Sequence, residues 1–187
     1  MTQHGDVLML PPAMETVDHE LIDLLYRLEG DSSYHSQMKG LMLGAMSTVG
    51  LTKRGGSNLH HTVAGVWSGN TKGSLRQRAQ EFAIEQHLNS LPEKQRHQLI
   101  AASTCGASFV RGCTLSSYAL FKRPINELSH EERLLLALTS KKPFSDTNRT
   151  YLLSRALEFQ KQHPELNIDM QAFEATLQRT TFLNPFS

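Results

Sequence analysis

The stretch Ser129-His130-Glu131-Glu132-Arg133-Leu134-Leu135-Leu136-Ala137-Leu138 reads as a helix from its first residue. Ser129 stands three places before Glu132, the spacing at which a serine oxygen accepts the third backbone N–H of a helix while the glutamate accepts the serine's own N–H. A run of leucines follows the capping box, and Lys141-Lys142-Pro143 closes it with basic side chains and a residue that cannot continue a helix. The same reading extends along the chain. Between Thr16 and Glu29, residues Leu21, Ile22, Leu24, Leu25 and Leu28 fall at helical spacing and Gly30 supplies a stop. Ser74 with Gln77 opens a helix whose apolar stripe is Leu75, Ala79, Phe82, Ala83 and Leu88. Pro92 at a first-turn position begins another through Ile100, followed by a looser Cys/Gly/Ser segment over 103–117. Two more helices fit Thr147–Gln162 and Asp169–Leu177. Strand signals are confined to Phe109-Val110 and Thr62–Trp67, and a small non-helical region is expected around 50–70. No repeat or linker divides the chain, so residues 1–187 read as one mainly α domain.

Composition agrees with one core. A chain of 187 residues with 39% hydrophobic and 20% charged residues has enough apolar material to bury roughly two-thirds of its unfolded surface. Nineteen basic residues against 18 acidic ones leave a formal charge of +1, which lacks the basic footprint of a nucleic-acid binder. Cys105 and Cys113 are too few for a disulfide framework and lack the C-x-x-C spacing of a metal site, so they read as ordinary semi-buried thiols. The opening MTQHGDVLMLPPAM has neither the basic nor the apolar region of a secretory signal, which predicts synthesis in the cytoplasm and, for work outside it, export by a dedicated secretion system. The most apolar run, Leu41–Leu51, falls well short of the ~20 residues that span a bilayer. It suits an exposed or mobile lobe that touches a membrane surface without crossing it, or else a buried helix.

After that run comes Arg54-Gly55-Gly56-Ser57-Asn58-Leu59-His60-His61. Paired glycines permit positive φ and close backbone approach, and Ser57-Asn58 can cap a helix whose free N–H groups attract anions. The stretch is therefore either a plain loop or a ligand site. Glu29 and Glu81 are the candidate carboxylates, on helices flanking this loop, so both are expected to face one cleft, as in glycosyl-transfer chemistry. At a helix C-terminus Glu29 opposes the helix dipole, which disfavours its charged form. Arg76, Arg78 and Lys72 form a basic cluster beside Glu81, either a solvated face or a phosphate clamp. The adjacent His60 and His61 point apart on a helix, and no H-x-x-x-H pair completes a zinc set, so no protein metal site is expected.

In that order these pieces resemble the transglycosylase domain of peptidoglycan glycosyltransferases, found in bifunctional penicillin-binding proteins and in monofunctional polymerases. The family has an E-D-x-x-F motif after a helix, an apolar membrane-touching stretch, G-G-S-T-I-T-Q-Q-x-x-K-N, R-K-x-x-E on a helix, and Y-F-x-K before a leucine-rich helix with a capping glutamate. The counterparts here are Leu28-Glu29-Gly30-Asp31 with Tyr34, then 41–51, then Gly55 to Val66, then Gln77-Arg78-Ala79-Gln80-Glu81, then Ala119-Leu120-Phe121-Lys122-Arg123, then Leu128 to Ala137. The resemblance covers about 20–160. It implies a lysozyme-like helical fold and action on, or binding of, the lipid-linked peptidoglycan precursor. It also implies Glu29 and Glu81 as catalytic residues and Gly55, Gly56, Ser57, Asn58, Arg78 and Lys122 as substrate-binding ones. The implied cofactor is a divalent cation, Mg or Mn, bound through the substrate diphosphate.

The chain departs from the family pattern at defined places. Gly30 follows the first glutamate, His61 and Thr62 replace the two glutamines, Gly65 and Val66 replace the lysine and asparagine, and Gln77 replaces the arginine. These losses support an alternative: a catalytically inactive relative that serves as a secreted effector or binds a protein partner. A third reading, a phage-type muramidase, shares a helix ending in Glu-Gly, but those enzymes place an aspartate about nine residues on. Here Ser36–Met42 holds no acid.

Overall fold

The computed structural model of the chain describes residues 9–29, 59–68 and 75–182, with backbone alone at His61 and at 75–78. The segment 41–51, the loop residues Gly55 to Asn58 and Lys72 lie outside the described residues, and so do the expectations made for them. The described part is mainly helical. After a short 3-10 turn at Pro12–Met14 come α1 (His19–Glu29), α2 (Leu59–Trp67), α3 (Leu75–Ser90), α4 (Glu93–Ser103), strands β1 (Gly106–Ala107) and β2 (Val110–Arg111), α5 (Cys113–Phe121), α6 (His130–Leu138), α7 (Arg149–Gln162) and α8 (Met170–Arg179).

The helix built on the capping box is the hub. Ser129 accepts from the Glu132 backbone N–H, Glu132 accepts from the Ser129 N–H at 2.9 Å, and α6 begins as its sequence prescribes. Its Leu134, Leu135, Leu136 and Ala137 are each 0% exposed, because α1, α5, α7 and α8 all pack around it. A helix buried on every side needs no amphipathic stripe, and consecutive leucines satisfy it. Glu132 is buried with them, its carboxylate held by the capping box and by Arg123 Nη2 at 2.5 Å.

Helix α1 lies alongside α6, and charge pairs at both ends set direction and register. Glu20 meets His130 Nδ1 at 2.7 Å and Asp18 meets Arg133 Nε at 3.4 Å near the two N-termini. Glu29 at the end of α1 meets Lys141, just past the end of α6. The two helices therefore run parallel, and Leu21, Ile22, Leu24, Leu25 and Leu28 of α1 enter the common core. Phe144, after α6, bonds back to the hairpin through its N–H to the Gly106 carbonyl at 2.9 Å and its carbonyl to the Ser108 N–H at 3.2 Å, which anchors the loop that carries Lys141.

Five sequence readings are corrected. Residues 62–67 form the body of α2, because Leu59, Val63 and Ala64 are buried at helical spacing and packing against α3 and α4 overrides the β preference of Thr62-Val63. That also removes the non-helical region over its 59–67 part. Pro92 is the N-cap, with α4 starting at Glu93. The segment 103–117 holds a hairpin, β1 paired antiparallel with β2, and the start of α5. The cysteines in it are fully buried, with 0% exposure each.

Candidate functional site

Glu29 occupies the last position of α1, where the carbonyl ends of the helix disfavour a carboxylate, and its side chain is 1% exposed. The Lys141 ammonium supplies the opposing charge. Tyr26 stands one turn earlier on α1, at the i, i+3 spacing that puts two side chains on neighbouring ground. Its hydroxyl lies 3.4 Å from His60 Nε2, at the second residue of α2. The acid-bearing end of α1 is thus joined to the first turn of α2, the helix that follows the Gly-Gly-Ser-Asn stretch. Leu59 and His60 are both buried there, so the start of α2 is fixed by packing as well as by this contact.

The His60 contact belongs to a larger group of rings. His97 of α4 makes edge contacts with Tyr26 and with His19, at centroid distances of 6.4 and 6.1 Å. Burial pushes the His97 pKa down, and Glu93, 4.0 Å away, offsets part of that. The neutral imidazole packs as an aromatic ring between α1 and α4. Among the described residues, no three His, Cys, Asp or Glu side chains gather where they could hold a metal ion.

Glu81 lies on α3 and is 2% exposed, with Glu85 one turn on and also buried. Helix α2 packs against both α1 and α3, so it bridges the elements that carry Glu29 and Glu81. Arg78 falls on the first turn of α3, its side chain outside the described residues. Lys122 is exposed and serves as the C-cap of α5 in the left-handed conformation, φ 58°, with its backbone N–H bonded to the Tyr118 carbonyl at 3.1 Å. Its side chain takes part in no ion pair among the described residues. The neighbouring Arg123 is the cation that reaches a carboxylate, that of Glu132.

A buried acid that sequence reasoning missed is Glu15, 4% exposed. Its Oε2 accepts the Thr114 backbone N–H at 3.0 Å, so it caps α5 from outside, where the helix's own N-cap residue, Gly112, has no side chain. Burial raises the Glu15 pKa, and the hydrogen bonds from Thr114 oppose the rise. Gly112 sits at φ 101°, and a Cβ there would lie 2.5 Å from Glu15 Oε1. No local signal announced this partner, which comes from the far end of the chain. Lys141 was missed for the same reason, having been read only as part of a helix stop.

Comparison with protein-family models gave no match for this chain, and comparison with curated proteins gave none either. No helix among the described residues is long and apolar enough to cross a membrane.

Proposed function

We propose that this chain is a divergent peptidoglycan glycosyltransferase-like protein that acts on or binds the lipid-linked peptidoglycan precursor. The observation that carries the reading is the junction at the end of α1: a buried carboxylate, Glu29, paired with Lys141 and tied through Tyr26 and His60 to the start of α2. The junction sets the helix that ends in Glu29 against the helix that follows the Gly-Gly-Ser stretch, two segments separated in sequence, and this supports the reading. In this reading Glu29 takes the proton from the acceptor sugar 4-hydroxyl. The freed oxygen bonds to C1 of the donor as the bond from C1 to the lipid diphosphate breaks, and the diphosphate leaves with the electron pair. The loop Gly55 to Asn58 cradles the diphosphate, with Glu81 positioning it and Arg78 and Lys122 countering its charge. A divalent cation carried by the diphosphate would neutralise the leaving group.

The second reading, a relative that binds without turnover, is favoured by the missing cations and by the Lys141 pair, which competes with the acceptor hydroxyl for Glu29. Each lost charge-assisted hydrogen bond at a diphosphate site is worth roughly 1.5–3 kcal/mol. Loss of the family's lysine and arginine therefore slows turnover by about two to four powers of ten, at ~1.4 kcal/mol per decade. The deciding experiment incubates the purified protein with labelled lipid-linked precursor and follows binding and polymer together. Weak or absent polymerisation with retained binding is expected, and Glu29→Gln abolishes whatever polymer forms. Robust glycan chains from the wild type would overturn the binding-only reading. Absence of both binding and turnover refutes the proposal, and release of soluble sugar from preformed peptidoglycan would select the muramidase instead.

A further inference from the structure

We propose that Cys105 and Cys113 are a disulfide-forming pair, oxidised by a small-molecule disulfide such as oxidised glutathione, and that the bond clasps the β1–β2 hairpin to the first residue of α5. The two sulfur atoms lie 2.9 Å apart and both residues are fully buried. Non-bonded carbon atoms settle at about 3.5–4.0 Å, so these sulfurs are already in tight contact. The bonded distance is roughly 2.0 Å, leaving about 0.9 Å of approach.

The backbone holds them in place. Cys105 precedes β1, Cys113 opens α5, and the Gly112 N–H donates to the Cys105 carbonyl at 2.9 Å. Thr104 Oγ1 is the polar side-chain atom near the pair, 3.6 Å from Cys113 Sγ and 4.0 Å from Cys105 Sγ. A thiol is a weak donor and a weak acceptor, so a lone S–H···S contact gains little for bringing two sulfurs together in a core. A covalent bond at the same place gives that proximity a purpose. Neither cysteine takes part in the Glu29–Lys141 contact, so the inference does not rest on the proposed function.

The chemistry balances as thiol–disulfide exchange. One thiol loses its proton to solvent, and its thiolate attacks a sulfur of the oxidant, forming a mixed disulfide and releasing one glutathione thiolate. The second cysteine, deprotonated in turn, attacks the first cysteine's sulfur, forms the intramolecular bond and expels the second glutathione. Two cysteine thiols are oxidised and one small disulfide is reduced to two thiols. The thiolate is the attacking species, and burial pushes the Cys105 thiol well up in the folded chain. Exchange therefore proceeds while the hairpin is open during folding, and the closed fold then shields the bond.

The test refolds the full chain with mixed oxidised and reduced glutathione, and separately with excess reductant. Each sample is denatured, alkylated without further reduction and digested with trypsin. Arg111 lies between the cysteines, so cleavage there separates 97–111 from 112–122 unless a disulfide joins them. The oxidised sample is expected to yield the linked peptides, two hydrogens lighter than the sum, with neither cysteine alkylated. The reduced sample yields two separate alkylated peptides. Closing so short a loop raises Tm by about 5–10 °C in a domain of this size, and a Cys105→Ala/Cys113→Ala variant loses that difference between the two buffers. Alkylation of both cysteines after oxidative refolding, or one glutathione stranded on each, overturns the proposal. The peptide readout on the wild type decides the question even where the double variant fails to fold.

Discussion

Replacing Gly112 by alanine tests whether Glu15 and the backbone at the start of α5 form one unit. At φ 101° and ψ 145° the residue lies near a region that side-chain-bearing residues avoid, at a cost of about 1–3 kcal/mol. The new Cβ also meets Glu15 Oε1 at 2.5 Å and the Ala102 carbonyl at 3.3 Å, so the carboxylate must move. Moving it forfeits the hydrogen bond to the Thr114 N–H, worth roughly 1.5–3 kcal/mol with a charged acceptor. Together Gly112→Ala costs about 2.5–6 kcal/mol, or a Tm drop of roughly 5–24 °C at ~2–4 °C per kcal/mol. Chemical denaturation of Gly112→Ala, Glu15→Ala and the double variant separates the two parts. In the Glu15→Ala background the glycine substitution should cost only its backbone strain, leaving a coupling of about 1.5–3 kcal/mol. A Gly112→Ala protein within ~0.5 kcal/mol of the wild type refutes the strain argument, because that is the scatter of neutral surface substitutions. Strict additivity refutes the collision with Glu15.

Three further outcomes are expected. Glu15 has a native pKa above its ordinary 4.5, chiefly through burial, so as pH rises through that value the unfolded chain ionises first and the folded state loses stability until its own pKa is passed. Glu15→Gln does not titrate, so denaturation followed across that window should show its stability rising relative to the wild type, and a parallel pH dependence would rule the burial effect out. Leu135→Ala, at the centre of α6, should lower stability by about 2–5 kcal/mol in the same assay, and a loss under ~1 kcal/mol would mean that α6 is not the hub of the core. Lys141→Met removes a cation that favours ionised Glu29, so if the glycosyltransferase reading holds, the acid limb of any pH–rate profile moves to higher pH; an unmoved limb would show that Glu29 does not set it.

What was legible in the sequence was local. The capping box at Ser129 and Glu132 is a contact between residues three apart, and its neighbours suffice to form it. Asp169 caps α8 in the same way, accepting the N–H groups of Gln171 and Ala172. Helix α5 was missed because its own residues argue against it: Gly112 cannot cap by side chain, and Cys113, Thr114, Ser116 and Ser117 are poor helix formers. Its capping carboxylate comes from Glu15, 99 residues away from Thr114. Likewise Glu29 was marked out by its place at a helix end, but the cation that balances it is 112 residues on. Helix α2 was half misread because Thr62 and Val63 carry β preference, while the periodicity of Leu59, Val63 and Ala64 shows its meaning only when α3 and α4 are set against it.

The same long-range pairings explain why a carboxylate persists at the end of α1. A buried Glu29 at a helix C-terminus would be costly alone, and truncating one member of a buried pair leaves the other charge without compensation. Lys141 meets this cost only because two other constraints hold it in place. The parallel register of α1 and α6, set at the opposite end by Glu20 with His130 and Asp18 with Arg133, brings the ends of both helices level. The bonds of Phe144 to Gly106 and Ser108 then keep the intervening loop short and turned toward α1. An arrangement serving stability alone would gain as much from an apolar pair of similar volume, since buried ion pairs contribute little net stability over such replacements. Net stability over an apolar pair is therefore a weak reason for Glu29 and Lys141 to be charged. Under the glycosyltransferase reading, in which Glu29 takes up a proton as the acceptor hydroxyl attacks, a carboxylate that can be neutralised beside the start of α2 would have a role.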